Sequence, residues 1–234
     1  MIRITKTYHE RKKEILSIAR TAFFTRGYQA TSVNDLIERI GIAKGTFYHY
    51  FNSKQDLLVE LTDLISDEYL AVISKDLHQS GYDALTRFRE LATKSLEWKT
   101  RNRKILFELM RVIYNPENLF LQHTLVETSI KKSRPLLEAI IRQGIAEGTF
   151  QVQYPERVAE LIMVVLARFG EKMGKSLLAF YDTEQPVSSE FVEWGRVEIR
   201  VHEFIIARIL GVNPEEMRLF DMDRLKLFVE PEAD

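Results

Sequence analysis

Apolar residues recur at three- and four-residue spacing along most of the chain, and no stretch of four or more alternates like a half-buried strand. From about residue 8 to 26 the positions Ile15, Leu16, Ala19, Ala22 and Phe23 share one helical face, and Gly27 stops that helix. Ser32 with Asp35 is a capping-box signature that opens a short helix carrying Leu36, Ile37 and Ile40, ended by Gly41. A third short helix is predicted from about Lys44 to Tyr50. Ser53 with Asp56 repeats the capping signature and opens a long helix through Leu57, Leu58, Leu61, Leu64, Ile65, Tyr69 and Val72. Beyond Gly81 the pattern predicts helices near 83–100, 103–114, 117–147, 156–181 and 189–210. Asn115-Pro116, Gly148, Pro155, Pro186 and Gly211 separate or close them. Pro135 falls inside the 117–147 segment and is expected to kink or split it. The chain reads as all-α.

Composition changes this picture little, but charge adds to it. The 234 residues are 45% hydrophobic and 29% charged, as in an ordinary folded domain. There is no cysteine, which excludes disulfides, thiolate metal sites and a cysteine nucleophile. The longest apolar run, Leu161 to Ala167, is too short to span a bilayer, and the basic N-terminus lacks the apolar stretch of a signal peptide. A soluble cytoplasmic protein with no membrane partner is expected. The net charge of −1 conceals an asymmetry: residues 1–60 carry ten Lys/Arg and six Asp/Glu, the remainder 23 and 28. A basic head on an acidic body suits a protein whose head alone meets phosphates.

Residues 31–51, TSVNDLIERIGIAKGTFYHYF, place two short helices across a tight turn. Gly41 supplies the backbone freedom the turn needs, and Leu36, Ile40, Ile42, Phe47 and Tyr50 supply inward anchors. On the third helix Phe47, Tyr50 and Phe51 share a face. Gly45 and His49 lie opposite, with Lys44, Thr46 and Tyr48 on the flanks. That outward surface is small, polar and basic, suited to a major groove about 12 Å wide.

Residues 8–67 resemble the DNA-binding domain of the TetR family of bacterial and archaeal repressors. The resemblance rests on Ile15-Leu16, Phe23, Gly27-Tyr28, Thr31-Ser32-Val33, Gly41-Ile42, the run Lys44 to Phe51, and Ser53-Lys54. Ala43 departs from it, standing where a serine usually opens the recognition helix; Ile37 stands where alanine is preferred. The resemblance implies that Lys44, Gly45, Thr46, Tyr48 and His49 enter the groove. It further implies that Thr31, Ser32 and Lys54 bind phosphate at helix starts, with Tyr50 either touching phosphate or packing in the core. The basic arm (Arg3, Lys6, Arg11, Lys12, Lys13) is either a DNA contact or a solvated tail.

The resemblance also implies an N-terminal three-helix helix-turn-helix domain joined by the long helix to a larger helical ligand-binding and dimerisation domain, residues 68–234. The stretch 134–150 looks like the seventh helix and following turn of many members. By analogy the helices near 156–181 and 189–210 form a homodimer interface. Val158, Leu161, Ile162 and Val165 would line one helix, and Trp194, Val197, Val201, Phe204 and Ile205 the other; ordinary core would use the same residues. A pocket for a partly apolar small-molecule effector is expected among Phe107, Glu108, Met110, Tyr114, His123, Arg168 and Phe169, with Phe88, Trp98, Phe120 and Met173 as further apolar candidates. For each of these apolar residues, ordinary core packing is the more common use. Glu108, His123 and Arg168 stand in apolar runs and are surface, paired or ligand-orienting groups.

No cofactor is implied, and His78, His123 and His202 show no metal-ligand spacing. No phosphate-cradling glycine loop, nucleophile elbow or paired Asp-rich helical motif points to an enzyme. The reading is therefore a repressor released from palindromic operator DNA by a small ligand. A ligand-free DNA-organising protein is the rival: an enclosed cavity favours the sensor, a filled core the rival.

Overall fold

A computed structural model describes residues 7–77, 81–183, 187–220 and 224–225; Arg3, Lys6, His78 and Pro186 lie outside the described residues. Nine α-helices and two 3-10 turns account for most of them, and no strand occurs among the described residues. Helix α1 (Tyr8–Arg26) begins at Thr7, whose amide donates to the Glu10 carboxylate at 2.8 Å while its hydroxyl accepts from the Glu10 amide. Helix α2 (Val33–Ile40) opens with the capping box expected at Ser32 and Asp35 and closes at Gly41, φ 71°, ψ 41°. The Ser32 hydrogen bonds hold the Asp35 carboxyl below its ordinary value.

Helix α3 (Lys44–Tyr50) starts at Ala43 with no side-chain cap. Because Ala43 already has cap-like extended geometry (φ −71°, ψ 150°), Ala43→Ser is expected to stabilise the head by about 1 kcal/mol. A denaturant melt of the two proteins checks this; no gain would mean that the serine hydroxyl cannot reach the free amides.

Helix α4 (Lys54–Leu77) follows, its Asp56 amide donating to the Ser53 hydroxyl at 2.9 Å. The Asp56 carboxylate reaches back to the Asn52 amide, at 2.9 Å. With 24 residues, α4 is about 36 Å long and leaves the head for the larger domain. There α5 (Ala84–Arg101) and α6 (Arg103–Ile113) are separated by Asn102, and a 3-10 turn (Pro116–Asn118) leads into α7 (Leu119–Ala146). Pro135 does not split α7. Pro135 and Lys131 are both exposed, so the turn interrupted by the proline lies on the outer side of α7. Helix α8 (Pro155–Thr183) packs along α7, and α9 (Ser189–Leu210) leads into a second 3-10 turn (Pro214–Glu216).

Three apolar clusters hold these helices. The first joins Ile15, Ala19, Phe23, Leu36, Phe47, Phe51, Leu57 and Leu61 of the head to Ile105, Leu109 and Val112 of α6 and Leu121 and Leu125 of α7. The head's core is thus completed by helices of the larger domain. Lys12–Glu60 (2.7 Å) and Arg20–Glu68 (2.8 Å) tie α1 to α4. The second cluster is built by α4, α5, α7, α8 and α9 around Phe88, Ile141 and Ile162. The third lies between α6, α8 and α9 around Phe107, Phe169, Met173 and Ile199. No helix of the described residues is long and apolar enough to cross a membrane.

Candidate nucleic-acid interface

Helix α3 is held from beneath by Phe47, wholly buried, with Phe51 buried just beyond its end. That fixes which side faces out. Lys44, Gly45, Tyr48 and His49 are exposed, and Thr46 and Tyr50 are half-buried. A Cβ added at Gly45 would meet nothing within 4 Å, so the protein's own packing does not require glycine there. What its absence of side chain gives is a low point on an exposed face, where another molecule's backbone can approach closely.

Tyr8 was not among the residues singled out in the sequence, yet it belongs to this surface. Its ring stacks on Tyr50 with centroids 4.6 Å apart and meets His49 edge-on at 5.8 Å. No local pattern could reveal a contact across 41 positions. Tyr8 is exposed and props the two α3 side chains from the N-terminus of α1. Tyr8→Ala is expected to loosen His49, and Tyr8→Ala and His49→Ala are expected to weaken preference at the same base pairs, each by about 1–3 kcal/mol. Additive losses in the double variant, measured by DNA binding, would show the two residues to be independent.

Two of the expected phosphate ligands are committed elsewhere. Thr31 is wholly buried, and its hydroxyl donates to the Gly27 carbonyl at 2.8 Å, so its side chain closes the α1–α2 connection rather than facing DNA. The Lys54 ammonium donates to the carbonyls of Tyr28 (2.8 Å) and Thr31 (3.0 Å) and sits 4.0 Å from the Tyr28 ring centroid. Burial holds its pKa below the ordinary lysine value. Ser32 is exposed at the start of α2. Of the basic arm, Arg11 pairs with Glu14 and Lys12 with Glu60, which raises the Lys12 pKa, whereas Lys13 is exposed.

The residues expected to line an effector pocket separate into two groups. Phe107, Met110 and Phe169 do meet, in the third cluster, where Phe107 stacks on Tyr181 at 3.9 Å. Tyr114 lies alongside, in space left by Gly174, and burial with a contribution from Glu171 pushes its phenol up to about 12. The polar candidates do not join them. His123 is exposed on α7, and Arg168 is exposed on α8 and pairs with Glu171, so neither lines the interior. Glu108 pairs with Arg111 and lies near Gly27 at the end of α1, and Arg111 also bonds Asp182 of α8 through Nε at 3.0 Å. Phe120 is 80% exposed and Phe88 belongs to the second cluster, so both leave the candidate pocket. Among the described residues, the space between α6, α8 and α9 is packed with Phe107, Phe169, Met173, Leu177 and Phe191. Among the described residues, no group of three or more His, Cys, Asp or Glu could hold a metal.

On α8 and α9 the expected stripe is divided as well. Ile162 is wholly buried within the chain, and Trp194 packs on Phe191 at 5.3 Å. Leu161 and Val164 of α8 are exposed, with Val197, Val201, Phe204 and Ile205 of α9.

A basic-faced short helix set across a glycine turn from its supporting helix, on a long-helix stalk, defines a helix-turn-helix DNA-binding regulator. The chain belongs to the TetR family of transcriptional regulators. Residues 15–61 match the family described as bacterial regulatory proteins, tetR family, and residues 104–183 match a tetracyclin repressor-like C-terminal domain. The transcriptional repressor KstR2 of Mycobacterium tuberculosis is 30% identical over 155 residues, covering 64% of this chain and 74% of that protein. Among solved structures, a TetR-family regulator of Pectobacterium atrosepticum superposes with a TM-score of 0.62 at 20% identity, over 88% of this chain and 98% of that one. RolR in complex with resorcinol gives 0.60 at 15% identity, over 97% and 96%. The family and the relatives are transcriptional regulators, not enzymes.

Proposed function

We propose that the protein is a homodimeric repressor that binds a two-fold symmetric operator in the cytoplasm and leaves it on binding a partly apolar small molecule. The observation that carries DNA reading is the outward face of α3, where Lys44, Gly45, Tyr48 and His49 are exposed and Thr46 half-exposed on a helix anchored by buried Phe47. Lys44, the Ser32 end of α2 and Tyr50 supply phosphate-side contacts in this reading. The exposed stripe Val197, Val201, Phe204 and Ile205, with Leu161 and Val164 beside it, supports dimerisation through α8 and α9.

Two packed routes couple the interior to the head. Helix α4 starts beside α3 and ends in the second cluster, where Ile73 is buried. Helix α6 carries Phe107 in the third cluster and Ile105, Leu109 and Val112 in the head's own core. A ligand that moves α6 therefore moves α1 to α3, and in a dimer it changes the separation of the two recognition helices. A 100-fold loss of operator affinity requires a coupling of about 2.7 kcal/mol, and reciprocity makes operator weaken ligand binding equally.

The rival role, ligand-free DNA organisation, draws support from the packing of the third cluster. Selection of bound sequences from random duplex DNA, followed by footprinting, separates the two. The repressor reading expects an inverted repeat with half-sites about one helical turn (~10 bp) or somewhat more apart; recovery of no common sequence would overturn it in favour of the rival.

A further inference from the structure

The third cluster is packed, but the inner side of α8 is not covered throughout. Leu161, Val164, Arg168, Lys172 and Lys175 face outward, and Ala159, Ile162, Phe169, Met173 and Leu177 are buried on the opposite side. Helical periodicity places Gly170 in the middle of that inner side, between Leu166 and Met173. At Gly174, one turn on, a Cβ would come within 3.0 Å of the Tyr114 hydroxyl, so glycine there makes room for a neighbour. At Gly170 a Cβ would meet nothing within 4 Å, although the residue is half-buried. No described side chain fills that space. Helix α5 shows the complementary irregularity. Ala84, Phe88 and Ala92 are buried one turn apart, and Lys99, two turns beyond Ala92, continues their stripe. Its neighbours on that face are Ser95, bonded to the Tyr69 hydroxyl of α4 at 2.6 Å, and Leu96 of the third cluster. Lys99 is nonetheless exposed, and it has no hydrogen bond or acidic partner among the described residues. Burial holds its pKa below the ordinary lysine value. A lysine on the outer surface is open but not desolvated, and one packed in a core is desolvated but not open. Both properties together place the Lys99 ammonium against an enclosed space. Leu96 and Phe107, which flank Lys99 along the chain, share the third cluster with Phe169 and Met173, which flank Gly170.

We propose that Lys99 and Gly170 line one internal chamber between α5 and α8, and that the effector it takes is an amphiphilic carboxylate. The carboxylate meets the Lys99 ammonium, and the apolar body lies along α8 over Gly170. The inference rests on the effector-responsive reading above and names the chemistry of that effector. An ammonium held in the interior without an opposite charge is costly, and the chain supplies none beside it. A neutral ligand would displace water from Lys99 and leave the charge still less compensated. An anionic one supplies the missing partner through charge-assisted hydrogen bonds. One ammonium balances one negative charge, so a monoanionic carboxylate fits and a dianionic phosphate carries a charge left over. Arg103, buried at the start of α6, is already engaged and is not needed for the match. Opposite the charge, the missing side chain at Gly170 leaves a gap among apolar neighbours, which suits a hydrocarbon or an aromatic ring rather than a second polar group.

The test uses the full chain and two matched pairs of probes, decanoate with decanol and naphthoate with naphthamide, titrated by calorimetry. The unaltered protein is expected to bind each carboxylate about tenfold more tightly than its neutral match. Lys99→Met keeps the length of the side chain and removes the charge. It is expected to lose about tenfold for the two carboxylates and nothing for the two neutral probes. The same variant is expected to unfold at a higher denaturant concentration, because an uncompensated interior charge is gone. Gly170→Leu is expected to keep or raise the denaturant midpoint, since the added side chain enters open space, and to weaken all four probes about tenfold. Carboxylates bound no better than their neutral matches, equal losses of all four probes in Lys99→Met, or a lower midpoint in that variant would overturn the proposal. Unchanged probe binding or a lower midpoint in Gly170→Leu overturns it too. Operator binding separates the two ideas. A carboxylate that fills the chamber without loss of operator affinity refutes effector control alone. Operator release by a neutral compound, equal in the unaltered protein and in Lys99→Met, refutes the carboxylate site alone.

Discussion

Phe204→Glu is expected to separate the protein into single chains and to lower its affinity for a two-half-site operator at least about 100-fold. Phe204 is 49% exposed in the single chain, with the Arg208 guanidinium 5.1 Å from its ring centroid, and lies in one stripe with Val197, Val201 and Ile205. In a two-fold interface each substitution counts twice, so the dimer would bury two carboxylates at its apolar centre. Unpaired burial of one such charge costs several kcal/mol, and 1.4 kcal/mol is already tenfold in an equilibrium. Arg208 from the same helix offsets part of that cost but cannot restore the apolar contact. With dimerisation lost, each head binds its half-site alone and the gain from simultaneous engagement disappears. Sedimentation equilibrium and DNA titration check the two halves of the prediction. A Phe204→Glu protein that stays dimeric would place the interface elsewhere.

Lys54→Met is the second large effect, and it decides between two roles for the same side chain. Methionine keeps the length and removes the donors, leaving the Tyr28 and Thr31 carbonyls without the ammonium and the Tyr28 ring without its cation. Each lost bond of this kind costs about 1–3 kcal/mol, so a loss of about 2–4 kcal/mol in the head is expected. Thr31 joins α1 to α2, so the pose of α2 and α3 suffers and affinity falls for every DNA sequence alike. The slope of log affinity against log salt should change by much less than one. A phosphate ligand would behave oppositely: little change in stability and a slope reduced by about one. Denaturant melts with a salt titration of DNA binding distinguish them. An unchanged melt with the full slope change would return Lys54 to the phosphate role implied by family resemblance.

That reassignment shows where sequence reasoning runs out at this site. The outward residues of α3 were legible because helix periodicity is local: once Phe47 and Phe51 face the core, the directions of Gly45, Tyr48 and His49 follow. The capping box of α2 and the left-handed turn at Gly41 were legible for the same reason, since their partners lie within four residues. Thr31 and Lys54 were not. Both stand at helix starts, where an anion ligand and an internal anchor have the same local pattern. Only the approach of residues 28–31 to residue 54, across more than twenty positions, commits the ammonium to backbone carbonyls.

The all-helical class, most helix limits and the outward face of α3 were already legible along the chain, all consequences of contacts between near neighbours. The tertiary structure decided what distant neighbours decide. It turned Ile162 inward and left Leu161 outside, although both belong to one apolar stripe, because an amphipathic face carries no mark of the surface that will cover it. It set Arg168 and His123 at the surface, since a long helix can rotate polar groups out of an apolar run without breaking its pattern. It carried α7 through Pro135, which lies on the exposed side of the helix. And it brought residues 217–220, just beyond α9, back so that the Phe220 ring meets Phe169 and the buried Glu203 carboxylate accepts from two backbone amides, which no periodicity encodes.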